Sequence, residues 1–201
     1  NCLAADSQGN VYIAGTFRET ANFGSTELTS SGEDDIFVAN LDNNGNWLWA
    51  VKAGGTYFDD PFGIATDNTG NVYVTGRFYY TATFGTSTLT SSGNSDVYVA
   101  KLDANGNFTW VVRGGGFFSD RAYNIAVNTT GIVVTGYVSN DVAFGSHPLT
   151  GFGEGDIFIA KLDTDGNWLW ARNAGGIYYD VGTSVALDEM GNVYATGSFE
   201  D

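Results

Sequence analysis

The chain is short of the residues that build most reactive centres. Its 201 residues hold one cysteine, one histidine, one methionine and two prolines. A single cysteine, Cys2, allows no intrachain disulfide, so packing must hold the fold together. Cys2 reads as a small buried hydrophobe rather than a reactive thiol. The single histidine, His147, precedes Pro148 in a loop and has no counterpart elsewhere in the chain. It offers neither a metal cluster nor a nucleophilic triad, both of which need further ligands or an orienting group. No phosphate-binding loop or dinucleotide fingerprint is present. Basic residues are scarce, 8 Lys+Arg against 23 Asp+Glu for a net charge of −15. Lys52, Lys101, Lys161, Arg113 and Arg172 are scattered singly, so no basic patch awaits a phosphate backbone and no nucleic-acid partner is expected. No apolar run approaches the roughly 20 residues of a membrane-spanning helix, so these residues are expected to insert in no membrane.

What is present is a repeat. Hydrophobic residues make up 43% of the chain and aromatics 15%, and its 28 glycines suit a fold with many tight turns. Asp35-Ile-Phe-Val-Ala-Asn-Leu-Asp42 returns as Asp96-Val-Tyr-Val-Ala-Lys-Leu-Asp103 and again as Asp156-Ile-Phe-Ile-Ala-Lys-Leu-Asp163. Gly9-Asn10-Val11-Tyr12 keeps step with Gly70-Asn71-Val72-Tyr73 and Gly191-Asn192-Val193-Tyr194. Phe23-Gly24, Phe84-Gly85 and Phe144-Gly145 recur at the same interval, as do Trp47-Leu48-Trp49 and Trp168-Leu169-Trp170. A period of about sixty residues means an array of modules, each covering its apolar faces with its neighbours.

One module contains four strands, A to D. In residues 62–122 they are Phe62–Thr66, Val72–Phe78, Asp96–Leu102 and Phe108–Arg113. Asp67…Gly70-Asn71 and Asp103…Gly106-Asn107 supply hairpin turn chemistry between runs rich in β-branched and aromatic residues. No helical apolar spacing occurs. Four antiparallel strands in series make a β-propeller blade, and the length beyond an ordinary blade lies in a polar excursion between B and C. Alanine in the middle of every strand A suits crowding at an axis, and the tryptophans of strand D suit a diverging outer rim. A parallel β-helix is the weaker alternative.

The sequence Gly-Asn-Val-Tyr-Val-Thr-Gly, then Asp-Val-Tyr-Val-Ala-Lys-Leu-Asp, then Gly-Asn-Trp-Leu-Trp-Ala, then Gly-Gly resembles the bacterial SBBP-type β-propeller repeats along the whole chain. That resemblance implies an all-β propeller belonging to a large secreted or surface protein of bacteria. The units fall at 1–61, 62–122 and 123–183, with 184–201 giving strands A and B of a fourth. Three and a half blades close no ring, so a longer chain of six to eight blades is expected, or an association of neighbouring subunits. The third unit departs at Asn128-Thr-Thr-Gly131-Ile132, a local change of turn.

The longer loops, D–A and B–C, share one rim, where function in such scaffolds resides. The D–A loops align as Tyr57 with Asp59, Phe118 with Asp120 and Tyr178 with Asp180. These six are the candidate ligand-binding residues. They form either a ring of carboxylates and aromatic platforms for a cation or a sugar, or a set of loop caps and gap-filling rings. Asp163-Thr-Asp165-Gly166 begins like a calcium loop but lacks its spacing and closing Glu. No catalytic residue, metal site or cofactor is expected, calcium being the one ion the carboxylates admit. The functional expectation is a non-enzymatic structural or binding module of an extracellular bacterial adhesin or filament. Its partners are the rest of its propeller, a surface protein or a glycan. A lectin-like propeller and a polysaccharide hydrolase or lyase with carboxylates on the long-loop face are the alternatives.

Overall fold

The structure, a computed structural model, describes residues 1–200. Every element among them is a strand. The first blade comprises β1 (Cys2–Ala5), β2 (Val11–Phe17), a small hairpin of β3 (Thr20–Phe23) and β4 (Thr26–Thr29), then β5 (Asp35–Leu41) and β6 (Trp47–Gly55). The second has β7 (Asp59–Thr66), β8 (Val72–Phe84), β9 (Ser87–Leu102) and β10 (Phe108–Gly116). The third has β11 (Arg121–Asn128), β12 (Gly131–Val138), the hairpin β13 (Val142–Phe144) and β14 (His147–Leu149), then β15 (Asp156–Leu162) and β16 (Trp168–Ala174). A last antiparallel pair, β17 (Val181–Leu187) and β18 (Val193–Ser198), occupies the A and B places of a fourth.

Within each blade the order is A-B-C-D, all antiparallel, as in β11-β12-β15-β16. The A strands β1, β7, β11 and β17 pack one beside the next, so the blades radiate from a shared hub. The chain is thus an all-β propeller of four-stranded blades.

The core lies between blades. Tyr12, Ile36 and Val38 of the first blade pack with Ile64, Val74, Phe78 and Tyr98 of the second. Tyr73, Val97 and Val99 on the other face of that second blade pack with Ile125, Val134 and Phe158 of the third. A middle blade is therefore apolar on both faces, which explains the unbroken runs Val72-Tyr73-Val74 and Val97-Tyr98-Val99-Ala100. Burying each such side chain contributes roughly 1.5–3 kcal/mol.

Six hairpin turns on one rim use the same device. Asp42 Oδ1 accepts the N–H groups of Asn44 (2.9 Å) and Asn46 (2.8 Å), and Oδ2 accepts Asn46 Nδ2 (2.9 Å). Asp6, Asp67, Asp103, Asp163 and Asp188 repeat the pattern. The glycine before each asparagine has φ between 81° and 88°, a left-handed conformation that side chains resist. The suggested calcium loop at Asp163 is one of these turns, its carboxylate occupied by Asp165 N–H, Asn167 N–H and Asn167 Nδ2. In the third unit Asn128 pairs directly with Gly131, leaving a two-residue turn.

The excursion is not a free loop. In every unit it folds into a hairpin, and in two units that hairpin joins the preceding blade. Ala53, Gly54 and Gly55 at the end of β6 pair with Phe84, Thr83 and Ala82 of β8. Gly114, Gly115 and Gly116 of β10 pair with Phe144, Ala143 and Val142 of β13. The backbone ladder thus passes from strand D of one blade into the next.

The strand-D aromatics fasten the same joints. Trp49 Nε1 donates to Ala104 O (3.0 Å) and Trp110 Nε1 to Thr164 O (3.2 Å), each in the C–D turn of the following blade. Trp47, Phe108 and Trp168 instead pack edge-on against Phe23, Phe84 and Phe144 of their own hairpins.

Candidate functional site

The D–A loops run Gly55–Asp59, Gly116–Asp120 and Gly176–Asp180 and lie on the rim opposite the Asp-capped turns. Each loop turns its aromatic outward and its carboxylate inward. Tyr57, Phe118 and Tyr178 are 47%, 50% and 45% exposed, whereas Asp59, Asp120 and Asp180 are wholly buried.

The reason lies in the backbone. A strand-D end, a tight loop and a new strand A leave N–H groups without ladder partners, and the aspartate collects them. Asp59 Oδ2 accepts the Gly55 N–H (2.7 Å) and Oδ1 the Tyr79 N–H (3.1 Å). Asp120 binds the N–H groups of Gly116 (2.7 Å) and Ser139 (2.9 Å), and Asp180 those of Gly176 (2.5 Å) and Glu200 (3.0 Å). Each aspartate therefore ties strand D of one blade to the A and B strands of the next. Burial raises the pKa of Asp59 and of Asp120 to about 7, outweighing the donated N–H bonds, and neighbouring Asp35 and Asp96 add to the rise.

The aromatics form a surface instead. The Tyr57 ring centroid lies 4.6 Å from that of Tyr80, which belongs to the hairpin of the next blade. Tyr80, Phe117 and Phe118 then line a cleft of about 430 Å³ with Gly93, Asn94 and Ser119. Asn94 Nδ2 donates to Ser119 Oγ (2.9 Å) at its edge. Two of the expected residues, Tyr57 and Phe118, are thus bridged into one surface by Tyr80. Tyr178 stands apart at the third joint, next in sequence to the exposed Ile177.

Tyr80, Phe117 and Asn94 were not among the residues the repeat singled out. A signal existed, because Tyr80 breaks the repeat. It adopts φ 51°, where the first unit has Glu19 at 61° and the third Asn140 at 60°. Asparagine tolerates this left-handed region, whereas a bulky ring there costs energy.

Lys52 and Arg113 occupy the same repeat position, which Asn173 takes in the third unit, and these cations and Arg172 act within their blades. Arg113 Nη1 binds Asp96 Oδ2 (2.6 Å), Lys52 Nζ lies 3.6 Å from Asp35 Oδ2, and Arg172 Nη1 donates to Ala171 O (2.6 Å). His147 Nε2 is 3.0 Å from Trp168 O, inside the hairpin of its own blade. Cys2 is largely enclosed, its Sγ 3.7 Å from Ala14 O, and burial pushes its thiol up to about 11.

On the other rim, a cleft of about 720 Å³ opens between Asp67, Thr69, Asn128, Thr164 and Glu189. Asp67, Thr69 and Asn128 in its wall already serve their own turns.

Comparison with known proteins adds sequence evidence. The family model described as "SBBP: Beta-propeller repeat" matches residues 49–77, from strand D of the first blade through strand B of the second. "Regulatory protein FlaEY" of Caulobacter vibrioides is 29% identical over 168 residues, covering 80% of this chain and 18% of that protein. "Uncharacterized WD repeat-containing protein L264" of Acanthamoeba polyphaga mimivirus is 28% identical over 199 residues, covering 82% of this chain and 14% of that protein. The chain spans less than a fifth of the length of either relative.

Proposed function

We propose that this chain, in which residues 49–77 match the SBBP β-propeller repeat, is a non-enzymatic structural and binding module of a secreted or cell-surface bacterial protein, of the adhesin or filament kind. The supporting observation is the division of labour on the long-loop rim. The repeated carboxylates Asp59, Asp120 and Asp180 are enclosed and committed to backbone N–H groups, which leaves them poorly placed for catalysis. The aromatics Tyr57, Phe118 and Tyr178 face outward, as a contact surface requires. The nearest partners are further blades of the same propeller or neighbouring subunits, and beyond them a surface protein.

Binding of the immobilised chain to bacterial surface preparations tests this reading. Replacing Tyr57, Phe118 and Tyr178 together by serine should weaken retention about tenfold or more, as loss of aromatic anchors does, with no shift in the thermal midpoint. Retention untouched by the triple variant counts against the rim.

One observation favours a second reading, a carbohydrate ligand. The Tyr80–Phe117–Phe118 cleft combines ring faces with the amide and hydroxyl of Asn94 and Ser119, the pairing a sugar needs. The acidic field of the chain suits a neutral glycan. A glycan array should then show binding that falls about tenfold in Tyr80→Ala and Phe118→Ala. An array with no binding at all leaves the protein-contact reading alone.

A further inference from the structure

Six carboxyls lie fully buried in pairs where one blade passes to the next: Asp35 with Asp59, Asp96 with Asp120 and Asp156 with Asp180. Members of each pair stand twenty-four positions apart in the sequence. The first sits near the start of strand C and the second at or just before strand A of the following blade.

The bonding of each pair is incomplete in the same way. Oδ2 of the first member accepts a backbone N–H, from Ser31 (2.8 Å), Ser92 (3.0 Å) or Phe152 (2.8 Å). Oδ1 of the first member is buried with no partner in all three blades. Both oxygens of the second member hold the backbone N–H groups already described. At the second and third joints the two carboxyls meet beneath a glycine. Asp96 Oδ1 and Asp120 Oδ2 each lie 2.8 Å from the place a Cβ on Gly115 would take. Gly175 stands over Asp156 Oδ1 and Asp180 Oδ2 in the same manner, and Gly54 over Asp35.

Charge balance is lacking as well. Arg113 pairs with Asp96, and Lys52 lies beside Asp35. Among the described residues no Lys or Arg forms an ion pair with Asp59, Asp120, Asp156 or Asp180. The flanking acids are already served, Asp60 by Arg77 (2.7 Å) and Asp34 by Arg18 (2.9 Å). The Tyr98 hydroxyl, buried and unpartnered, is the other titratable group near the first pair. Two buried carboxylates facing at most one cation repel each other.

We propose that each pair shares one proton, held between the unpartnered Oδ1 of Asp35, Asp96 or Asp156 and Oδ2 of its partner, so that every blade joint is closed by an acid-to-carboxylate hydrogen bond that deprotonation opens. The proton leaves Oδ1 to solvent as hydroxide consumes it, and no other bond changes. Burial raises Asp59 and Asp120 to about 7 and lifts Asp96 and Asp156 above the usual carboxylate range, in accord with proton retention. The titration belongs to the pair rather than to either member.

The sign follows from linkage. The folded joint keeps a proton that the unfolded carboxyls, with ordinary values near 4, release. Stability is therefore gained at acidic pH and lost as pH rises towards about 7. Each pair should raise the unfolding equilibrium constant up to about tenfold per pH unit in that window.

Urea unfolding in a His147→Gln background, which removes the one histidine, measures this slope between about pH 5 and about pH 8. Asp156→Asn places an amide donor where the shared proton stood and keeps the Phe152 bond. It should remove about one factor of ten per unit, and adding Asp35→Asn and Asp96→Asn should flatten the curve. An infrared band of protonated carboxyl, present in the wild type at mildly acidic pH and lost at alkaline pH, checks the same proton without any variant. A flat or rising wild-type stability over this range, an Asn triple variant with an unchanged slope, or no such band overturns the proposal. So does a rise in thermal midpoint on adding calcium at alkaline pH that the Asn variants lose, which would assign the gap to a cation.

Discussion

Tyr73 and Tyr98 are both fully buried, yet their hydroxyls meet opposite fates. Tyr73 donates to Asp67 Oδ2 (3.0 Å), and Tyr98 has no partner for its oxygen. The corresponding residue in the other two units is Phe37 or Phe158, so the slot is built for a ring without an oxygen. Tyr98→Phe should therefore stabilise the chain by about 1 kcal/mol, because a buried unpaired hydroxyl is removed. Tyr73→Phe should destabilise it by about 1–2 kcal/mol, because Asp67 loses a donor. Urea midpoints for the two variants should move in opposite directions. The turn signal of Asp67 was legible in the sequence, since Asp, Gly and Asn at fixed spacing dictate one backbone shape. The pairing of Asp35 with Asp59 was not. Asp35 reads as a polar strand start, and only the fold brings it beneath the next blade's first residue.

At the scale of the element, the hairpin between strands B and C explains the unusual length of the repeat. Its residues are short Thr and Ser stretches around Phe-Gly, polar enough to read as a loop. The four-stranded blade was legible because each strand is apolar and each turn is marked. The hairpin's attachment was hidden because its partners, the paired glycines ending strand D, carry no side-chain pattern at all. Those glycines allow close approach, as at Gly55, where an added Cβ would collide with the Thr81 carbonyl. Thr83 lies between both partners, opposite Gly54 on one side and Thr88 on the other. Thr83→Pro should cost about 3 kcal/mol by removing a ladder bond, read as a lower denaturant midpoint. The candidate site follows the same division. Tyr57 and Phe118 could be picked out by alignment of the loops, but the surface that joins them depends on Tyr80, which stacks near Tyr57 and lines the cleft with Phe118.

Two sets of aspartates shape the response of the whole molecule to pH. Burial pushes Asp67 up, but bonds from Asn71 and Thr69 outweigh it and hold the group down at about 2. Asn107 and Asn167 likewise lower Asp103 and Asp163. The turns therefore lend stability that is present above about pH 4 and lost as pH falls towards 2. The joints, with Asp59 and Asp120 at about 7, act the other way and weaken as pH rises. Thermal midpoint against pH should thus peak in the mildly acidic range, between about 4 and 6, and fall on both sides. A maximum at alkaline pH would contradict this account. The ladder that runs from β6 into β8 and from β10 into β13 carries a mechanical corollary. A load pulling neighbouring blades apart along the circumference must break main-chain hydrogen bonds as well as part greasy surfaces. Such a rim should give under force only in abrupt steps, like a hem tearing stitch by stitch.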